Sequence, residues 1–239
     1  MQNQLLTLNS GQQIPYLLEH RPRRTVGLKI TEQGLIVHAP KRIFASQLNQ
    51  ILQDKSGWIL NKLQLRDENK VDKMEWIDGA QLLFLGQDIT LKLVADIGYS
   101  KAKNIHFERN ELVLHAPGVN IHAACRASVL MWYKKQAVLD FTRRLEVFAA
   151  KLGVATPPLT LSNAKSRWGS CNSRKQIRLN WRLLQAPPHI INYVICHELA
   201  HIKQMNHSAK FWAVVTSLFP DYKTAEKELK ILSPQLHRL

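Results

Sequence analysis

Apolar positions in the first half of the chain fall in short runs separated by turn residues. Runs of this length, rich in Val, Ile and Leu, predict β-strands. A helical spacing of apolar residues interrupts them between about Ala45 and Arg66. The predicted strands are PYLLEH, TVGLKI, LIVHAP, LLFLG, ITLKLV, NIHFER and ELVLHAP.

Two of these segments resemble each other. GLIVHAP at 34–40 and ELVLHAP at 111–117 both end in Ala-Pro, and each precedes a helical pattern that carries a tryptophan, Trp58 or Trp132. A duplicated strand–strand–helix unit would explain the similarity. Chance similarity between two apolar strands is the alternative.

From about Asn120 the pattern becomes mostly helical. A long stretch of helical periodicity runs to Leu152, two strand-like segments flank the loop SRWGSCNSRK, and Pro187-Pro188 opens a further helix. We therefore predict an α+β fold in two parts. Residues 1–118 form a β-rich N-terminal lobe with one helix, and residues 119–239 form a second lobe.

Composition predicts a folded chain that is neither secreted nor inserted in a membrane. Hydrophobic residues make up 45% of the 239 and charged residues 21%, which is not typical of disorder. No apolar run approaches the roughly 18 residues that span a bilayer, and the N-terminus lacks a signal-peptide pattern. The three cysteines are scattered, which predicts free thiols and a cytoplasmic location.

The charge of the chain changes this picture by suggesting a partner. The formal net charge is +15, and such a surface attracts nucleic acid, nucleotides and other polyanions. A basic surface that only aids solubility is the alternative. The positive residues are mostly spread out, and their tightest cluster is HRPRR at 20–24.

The run CHELAHIKQMNHSAKFW at 196–212 contains a candidate metal site. His197 and His201 are four residues apart, so in a helix they share one face and can aim nitrogens at one cation. Glu198 lies about 100° around the helix, where it suits a base that takes a proton from a metal-bound water. The alternative is a half-buried helix with two solvated histidines.

His207 is the candidate third ligand. In a continuous helix it would lie about 240° around and about 9 Å along from His201, so the helix must end between them. We predict that Asn206 ends it in a left-handed conformation. Three ligands leave a coordination position for water, which predicts one zinc ion per chain, with another divalent metal as the alternative. The alternative third ligands are Asp221, Glu226 and Glu228.

The loop SRWGSCNSRK and its flanks supply candidate substrate-binding residues. Arginine suits bidentate contacts with phosphate, and Gly169 permits a close backbone approach. Arg167 is also a candidate for catalysis, as is Tyr193, which lies one turn before His197. A structural or solvated role is the alternative for each. The substrate-binding candidates are Lys165, Arg167, Ser170, Arg174 and Arg182.

The runs SRWGSCNSRKQIRLNWRLLQAP and INYVICHELAHIKQMNHSAKFW resemble the YgjP-like metal-dependent hydrolases. These belong to the zincin-type metallopeptidase superfamily, with SprT-like relatives. The resemblance extends upstream through RPRRTVGLKI and GLIVHAP to MWYKKQA, so it covers most of the chain. It implies a zincin-like C-terminal lobe with an HExxH active-site helix, a zinc site at His197, His201 and His207, and Glu198 as base.

The resemblance also implies two alternative activities. The first is Glu-assisted attack of metal-bound water on nucleoside triphosphates, with UTP split to UMP and pyrophosphate. The second, implied by the SprT-like relatives, is a zinc metallopeptidase that acts on nucleic-acid-associated protein. A third hypothesis is a nucleic-acid-binding protein with structural zinc, but Glu198 argues against it because structural zinc sites need no base. No membrane partner is expected, and nucleic acid and the oligomeric state stay open.

Overall fold

The protein is described by a computed structural model that divides into two compact units, residues 1–71 and 72–239. Both helices and sheets are present, and the predicted α+β class is confirmed. Within the part of the chain that the structure describes, no helix is both long enough and apolar enough to cross a membrane. The described residues are 2–31, 33–68, 74–95, 104–116 and 121–239.

Unit 1 is a four-stranded sheet followed by two helices. The strand order is β1-β2-β4-β3, in which β2 and β4 are parallel and the other pairs antiparallel. Alternate residues of β4 are buried, and they share a core with buried residues of both helices. The elements are β1 (Gln2–Thr7), β2 (Gln13–Arg21), β3 (Gly27–Thr31), β4 (Gly34–Pro40), α1 (Ala45–Asp54) and α2 (Ser56–Glu68).

Unit 2 begins with a second sheet of the same topology. Its order is β5-β6-β8-β7, with β6 and β8 parallel. The similar segments GLIVHAP and ELVLHA lie on β4 and β8, which occupy equivalent places in the two sheets. A duplicated unit would produce this arrangement, and the duplication stays a prediction. The strands are β5 (Gln81–Phe84), β6 (Gln87–Ala95), β7 (Asn104–Glu108) and β8 (Glu111–Ala116).

The rest of unit 2 is a long helix, a small sheet and three shorter helices. The small sheet has the order β10-β11-β9, which leaves β10 at an edge. A short 3-10 helix at Trp181–Gln185 leads into the histidine-bearing helix. The elements are α3 (Ile121–Leu152), β9 (Leu159–Ser162), β10 (Gly169–Cys171), β11 (Ile177–Asn180), α4 (Pro188–Lys203), α5 (Ala209–Leu218) and α6 (Tyr222–Leu236).

The units divide at residue 71, whereas the predicted lobes divide at residue 118. Hydrophobic burial explains the difference. Leu91 and Leu112 of the second sheet are fully buried in the same core as Phe141 of α3. The hydroxyl of Tyr133 on α3 also donates a hydrogen bond to the backbone oxygen of Leu83, at 2.7 Å. The sheet of β5–β8 therefore belongs to the unit that carries the histidines.

Candidate metal centre

Helix α4 carries His197, Glu198 and His201 in the middle of a packed core. The helix begins at Pro188, as the prolines predict, and contacts α3, α5, α6 and β10. Ile195 and Leu199 are fully buried on it. A helix held on several sides keeps its side chains in fixed positions, which a metal site requires.

The helix ends before His207, as the spacing argument requires. The last helical residue is Lys203, and Gln204 follows in an extended conformation with φ −141° and ψ 108°. The prediction that Asn206 ends the helix in a left-handed conformation is wrong, because Asn206 is not among the described residues with positive φ. The extended Gln204 redirects the chain, and its carbonyl accepts a hydrogen bond from Nδ1 of His201 at 3.1 Å.

The chain after Gln204 brings His207 back to the two helical histidines. Nε2 of His207 lies 3.1 Å from Nε2 of His197. One ligand atom from each of the three histidines lies within 4.8 Å of the others. Two nitrogens bound tetrahedrally to one zinc ion would be about 3.3 Å apart, given bonds of about 2.0–2.1 Å. The separation therefore fits two ligands of a common ion.

The acidic alternatives for the third ligand lie outside this group. Among the described residues, the three histidines form the only set of three or more His, Cys, Asp or Glu placed to hold one ion. Glu228 instead contacts Nε2 of His189 at 2.5 Å. The geometry therefore favours His207 over Asp221, Glu226 and Glu228.

The protonation of the histidines suits metal binding. Burial, followed by the charges of the two neighbouring histidines, lowers the pKa of His197 to about 4. Burial also lowers the pKa of His201. The Nδ1–H of His201 faces the Gln204 carbonyl, which leaves Nε2 with its lone pair. Three imidazoles without a carboxylate among them are a donor set that zinc accepts, so the residues fit this ion.

Glu198 is buried beside His197, His201 and His207, which we call the triad, and it lies directly under β10. Only 5% of the surface of Glu198 is exposed. A methyl group built on Gly169 would lie 2.6 Å from Cγ and 2.7 Å from Cδ of Glu198. The close approach expected at Gly169 is therefore to the side chain of Glu198, and it requires the absence of a Cβ.

The electrostatic state of Glu198 is typical of a functional carboxyl. Burial raises its pKa to about 8, and the charge of Arg167 opposes this shift. Its Oε2 is buried and makes no hydrogen bond to any described residue, and the same holds for Nδ1 of His197. Buried polar atoms without partners cost free energy, so their occurrence together suggests a role outside folding.

Gly169→Ala is expected to lower the free energy of unfolding by about 1–3 kcal/mol, because the added methyl group overlaps Glu198. Gly57→Ala on α2 is the matched control. A Cβ at Gly57 meets nothing within 4 Å, so this change should stabilise the protein by about 0.4–1 kcal/mol. Urea unfolding measures both values. Equal stability of the two variants would contradict the close packing of β10 on Glu198.

The structure places Arg167 near the candidate base. Its charge influences Glu198, and Ser170 follows Gly169 on β10. The side chains of Lys165, Arg167 and Arg174 are exposed, and within the described residues they form no ion pair. Cations without acidic partners are available to a charged substrate.

Arg182 has a different environment from the other predicted substrate-binding residues. Its Nε donates to the backbone oxygen of Leu239 at 2.6 Å, and a guanidinium nitrogen donates to Oδ1 of Asn163 at 2.5 Å. The guanidinium also lies 4.4 Å from the ring centroid of Trp181. These contacts favour a structural role for Arg182 over the predicted contact with substrate.

Tyr193 lies one helical turn before His197, and its ring contacts that histidine edge-on at 6.0 Å. The residue is buried, and burial raises the pKa of its phenol, so the hydroxyl keeps its proton. It is available as a hydrogen-bond donor next to the triad. The predicted catalytic role of Tyr193 stays a proposal.

The site also has an aromatic wall, which was not among the predicted features. Phe211, fully buried on α5, contacts the rings of all three histidines at centroid distances of 4.6–4.9 Å. Trp212 contacts two of them and stacks on Tyr222 at 5.0 Å. The signal was the Phe-Trp pair at the start of a helix directly after the motif, since that helix must fold back over the site.

The protein family "YgjP-like, metallopeptidase domain" matches residues 24–231 of the chain. The UTP pyrophosphatase of Escherichia coli strain K12 is 26% identical over 127 residues, which cover 50% of this chain and 75% of that protein.

Two solved structures of metallopeptidase zymogens are also similar. Abylysin of Pyrococcus abyssi is 26% identical, with a TM-score of 0.36, over 38% of this chain and 92% of that chain. Jannalysin of Methanocaldococcus jannaschii is 25% identical, with a TM-score of 0.34, over 40% of this chain and 96% of that chain.

Proposed function

The chain belongs to the YgjP-like family with a metallopeptidase domain, and on this basis we propose that it hydrolyses nucleoside triphosphates with a zinc ion. The family and the relatives are hydrolases, so the chain is a metal-dependent hydrolase. The finer proposal is that UTP is split to UMP and pyrophosphate. UTP is proposed as the substrate because the chain is similar to a UTP pyrophosphatase.

The observation that carries the proposal is the grouping of three histidines beside a buried carboxyl. His197, His201 and His207 would hold the ion, and Gln204 orients His201 through its carbonyl. Zinc held there would lower the pKa of a water molecule and polarise a phosphoryl oxygen. Glu198 is not needed as a ligand and is left for proton transfer.

Glu198 acts as the general base and then as the general acid. It accepts a proton from the attacking water, whose oxygen forms a bond to the α-phosphorus of UTP. The bond between that phosphorus and the α,β-bridging oxygen breaks, and Glu198 returns the proton to the departing pyrophosphate. A cation at the triad favours the charged carboxylate and so opposes the effect of burial on the pKa of Glu198.

The exposed cations of the β10–β11 region would bind the phosphates. The charge of Arg167 acts on the pKa of Glu198, and Lys165 and Arg174 lie in the same loop region. An arginine can hold two phosphate oxygens at once, which fixes the phosphorus relative to the attacking water. Gly169 on β10 brings backbone groups beside the same carboxyl, and the substrate-binding candidate Ser170 follows it on the strand.

Arg167→Ala is expected to lower kcat/KM for UTP by about 10- to 100-fold, the effect of losing a charge-assisted contact with phosphate, while the stability is unchanged. Arg182→Ala is the comparison variant. It should lower the free energy of unfolding by about 1–3 kcal/mol because it removes the bonds to Leu239 and Asn163. Steady-state kinetics and urea unfolding separate the two effects. Normal kinetics in Arg167→Ala would exclude its role in substrate binding.

A specific feature supports peptide hydrolysis as the second candidate function. β10 is the edge strand of its sheet and passes directly over Glu198. An edge strand can pair with an extended peptide through backbone hydrogen bonds and would hold the peptide next to the base. The substrate would then be a protein, including one associated with nucleic acid.

Incubation with each of the four ribonucleoside triphosphates, and separately with casein, distinguishes the two functions. We expect pyrophosphate release from UTP that a chelator abolishes and zinc restores. Casein cleavage without nucleotide turnover would reverse the order of the two functions.

A further inference from the structure

Unit 1 carries a cluster of exposed cations at one end of its sheet, formed by Arg23, Arg24, Lys41 and Arg42. We call this cluster the cationic end. β2 and β4 are parallel neighbours in which Arg21 pairs with Pro40, so the segments that follow them leave the sheet side by side. Neighbouring strands are about 4.8 Å apart. The topology therefore gathers four cations that are distant in the sequence.

Local contacts hold this end of the sheet together. Nδ1 of His20 lies 2.9 Å from the backbone oxygen of Pro40, which ties the ends of β2 and β4. The guanidinium of Arg23 lies against the backbone of Gly27 on β3, and it donates a hydrogen bond to the hydroxyl of Thr25 at 3.3 Å. The backbone that presents the cations is thus fixed by the sheet.

The four cations have no acidic partner within the described residues. Arg21, just before them, is paired with Glu19. Arg23, Arg24, Lys41 and Arg42 are exposed and form no ion pair there. The segments 20–31 and 33–53 contain no acidic residue. Positive charge without compensation at a fixed surface attracts a polyanion.

An exposed aromatic residue lies directly next to this charge. Phe44 follows Lys41 and Arg42 as the N-cap residue of α1, and it is 81% exposed. The first turn of α1 holds no acidic residue. An exposed phenyl ring is an unfavourable surface feature by itself, but it is a stacking platform for an unpaired base.

We propose that the cationic end binds single-stranded nucleic acid, with the four cations on phosphates and Phe44 stacked on a base. Three of the four cations are arginines, which suit phosphate and stack on bases. A membrane surface would call for an amphipathic helix or a larger apolar patch. The cationic end belongs to unit 1 and the three histidines to unit 2, and the proposal does not depend on the activity proposed for the histidines.

The test is fluorescence anisotropy of the full chain with a labelled 12-nucleotide RNA and its DNA equivalent, between 50 and 200 mM salt. Arg24→Ala with Arg42→Ala should weaken binding about tenfold or more, and the slope of log K against log salt should fall by about 1.4, as expected for two lost phosphate contacts on a single strand. Phe44→Ala should weaken binding about tenfold without changing the slope.

Lys55→Ala with Lys62→Ala is the matched control, because it removes the same charge from two exposed positions of unit 1, the C-cap of α1 and the surface of α2. This control should bind within about twofold of the wild type, and all variants should turn over UTP normally. Equal weakening in the control and the test variant would overturn the proposal, as would absence of binding by the wild type at 50 mM salt.

A third arm measures binding to vesicles of phosphatidylserine and phosphatidylcholine. Loss of vesicle binding in Arg24→Ala with Arg42→Ala, with binding to the oligonucleotides unchanged, would assign the cationic end to membranes and overturn the proposal. A chain that turns over no nucleotide but binds the oligonucleotides as described would contradict the proposed hydrolysis alone.

Discussion

Replacing His207 with alanine is expected to remove the metal ion from the purified protein. The variant keeps His197 and His201 on α4 but loses the ligand that the extended Gln204 returns to them. A site with two histidines binds zinc far more weakly than one with three. Mass spectrometry of the metal content should show about one ion per wild-type chain and less than about 0.1 in the variant.

His189→Ala is the matched control for this experiment. His189 is an exposed histidine near the start of the same helix, paired with Glu228 rather than with the triad. Its replacement should leave the metal content unchanged. The contrary result would be a full equivalent of metal in His207→Ala and loss of the metal in Glu226→Ala or Asp221→Ala. That result would mean that the third ligand is acidic and that His207 is not a metal ligand.

Replacing Glu198 with glutamine is expected to lower kcat by about 10² to 10⁴-fold while the metal stays bound. Glutamine has nearly the shape of glutamate, so the packing under Gly169 is preserved. It cannot accept the proton of the attacking water. The metal should remain because the three histidines are untouched. Steady-state rates normalised to metal content measure the effect.

Glu226→Gln controls for the loss of one negative charge from the same unit. Glu226 is exposed on α6 and does not belong to the group of three histidines. This variant should retain nearly normal kcat. A Glu198→Gln variant with wild-type kcat at equal metal content would exclude Glu198 as the base.

Helical spacing was sufficient to predict that the helix ends before His207, but not the way in which it ends. The four-residue interval of His197 and His201 fixes a common face, and the position of His207 requires a break. The break occurs at Gln204, in an extended conformation that carries no glycine or asparagine signal. A local hydrogen bond from the side chain of His201 to the Gln204 carbonyl accompanies it, and no residue type at position 204 signals this bond.

The strands could be located from apolar runs, but their order could not. PYLLEH, LIVHAP and ITLKLV fall within β2, β4 and β6. The parallel pairing of β2 with β4 is non-local and depends on burial across the whole sheet. The same non-local pairing creates the cationic end, because it brings Lys41 and Arg42 to the end of the sheet where HRPRR lies. The sequence alone showed only HRPRR within a mostly diffuse positive charge.

The roles of the arginines also depend on tertiary contacts. Residue type alone assigns both Arg167 and Arg182 to phosphate. In the structure Arg182 bonds to Leu239 and Asn163, whereas Arg167 is exposed near Glu198. The partners that consume the donors of Arg182 come from distant parts of the chain, so sequence reasoning could not separate the two.

A zinc titration of the metal-free protein, with pyrophosphate release from UTP as the readout, tests the proposed mechanism most directly. We predict a rate that rises linearly with zinc, saturates at one ion per chain, and is absent from Glu198→Gln at full metal loading. Turnover of UTP by the metal-free chain would contradict the proposed zinc-dependent hydrolysis of UTP. Casein cleavage at one equivalent of zinc while UTP stays intact would contradict it as well.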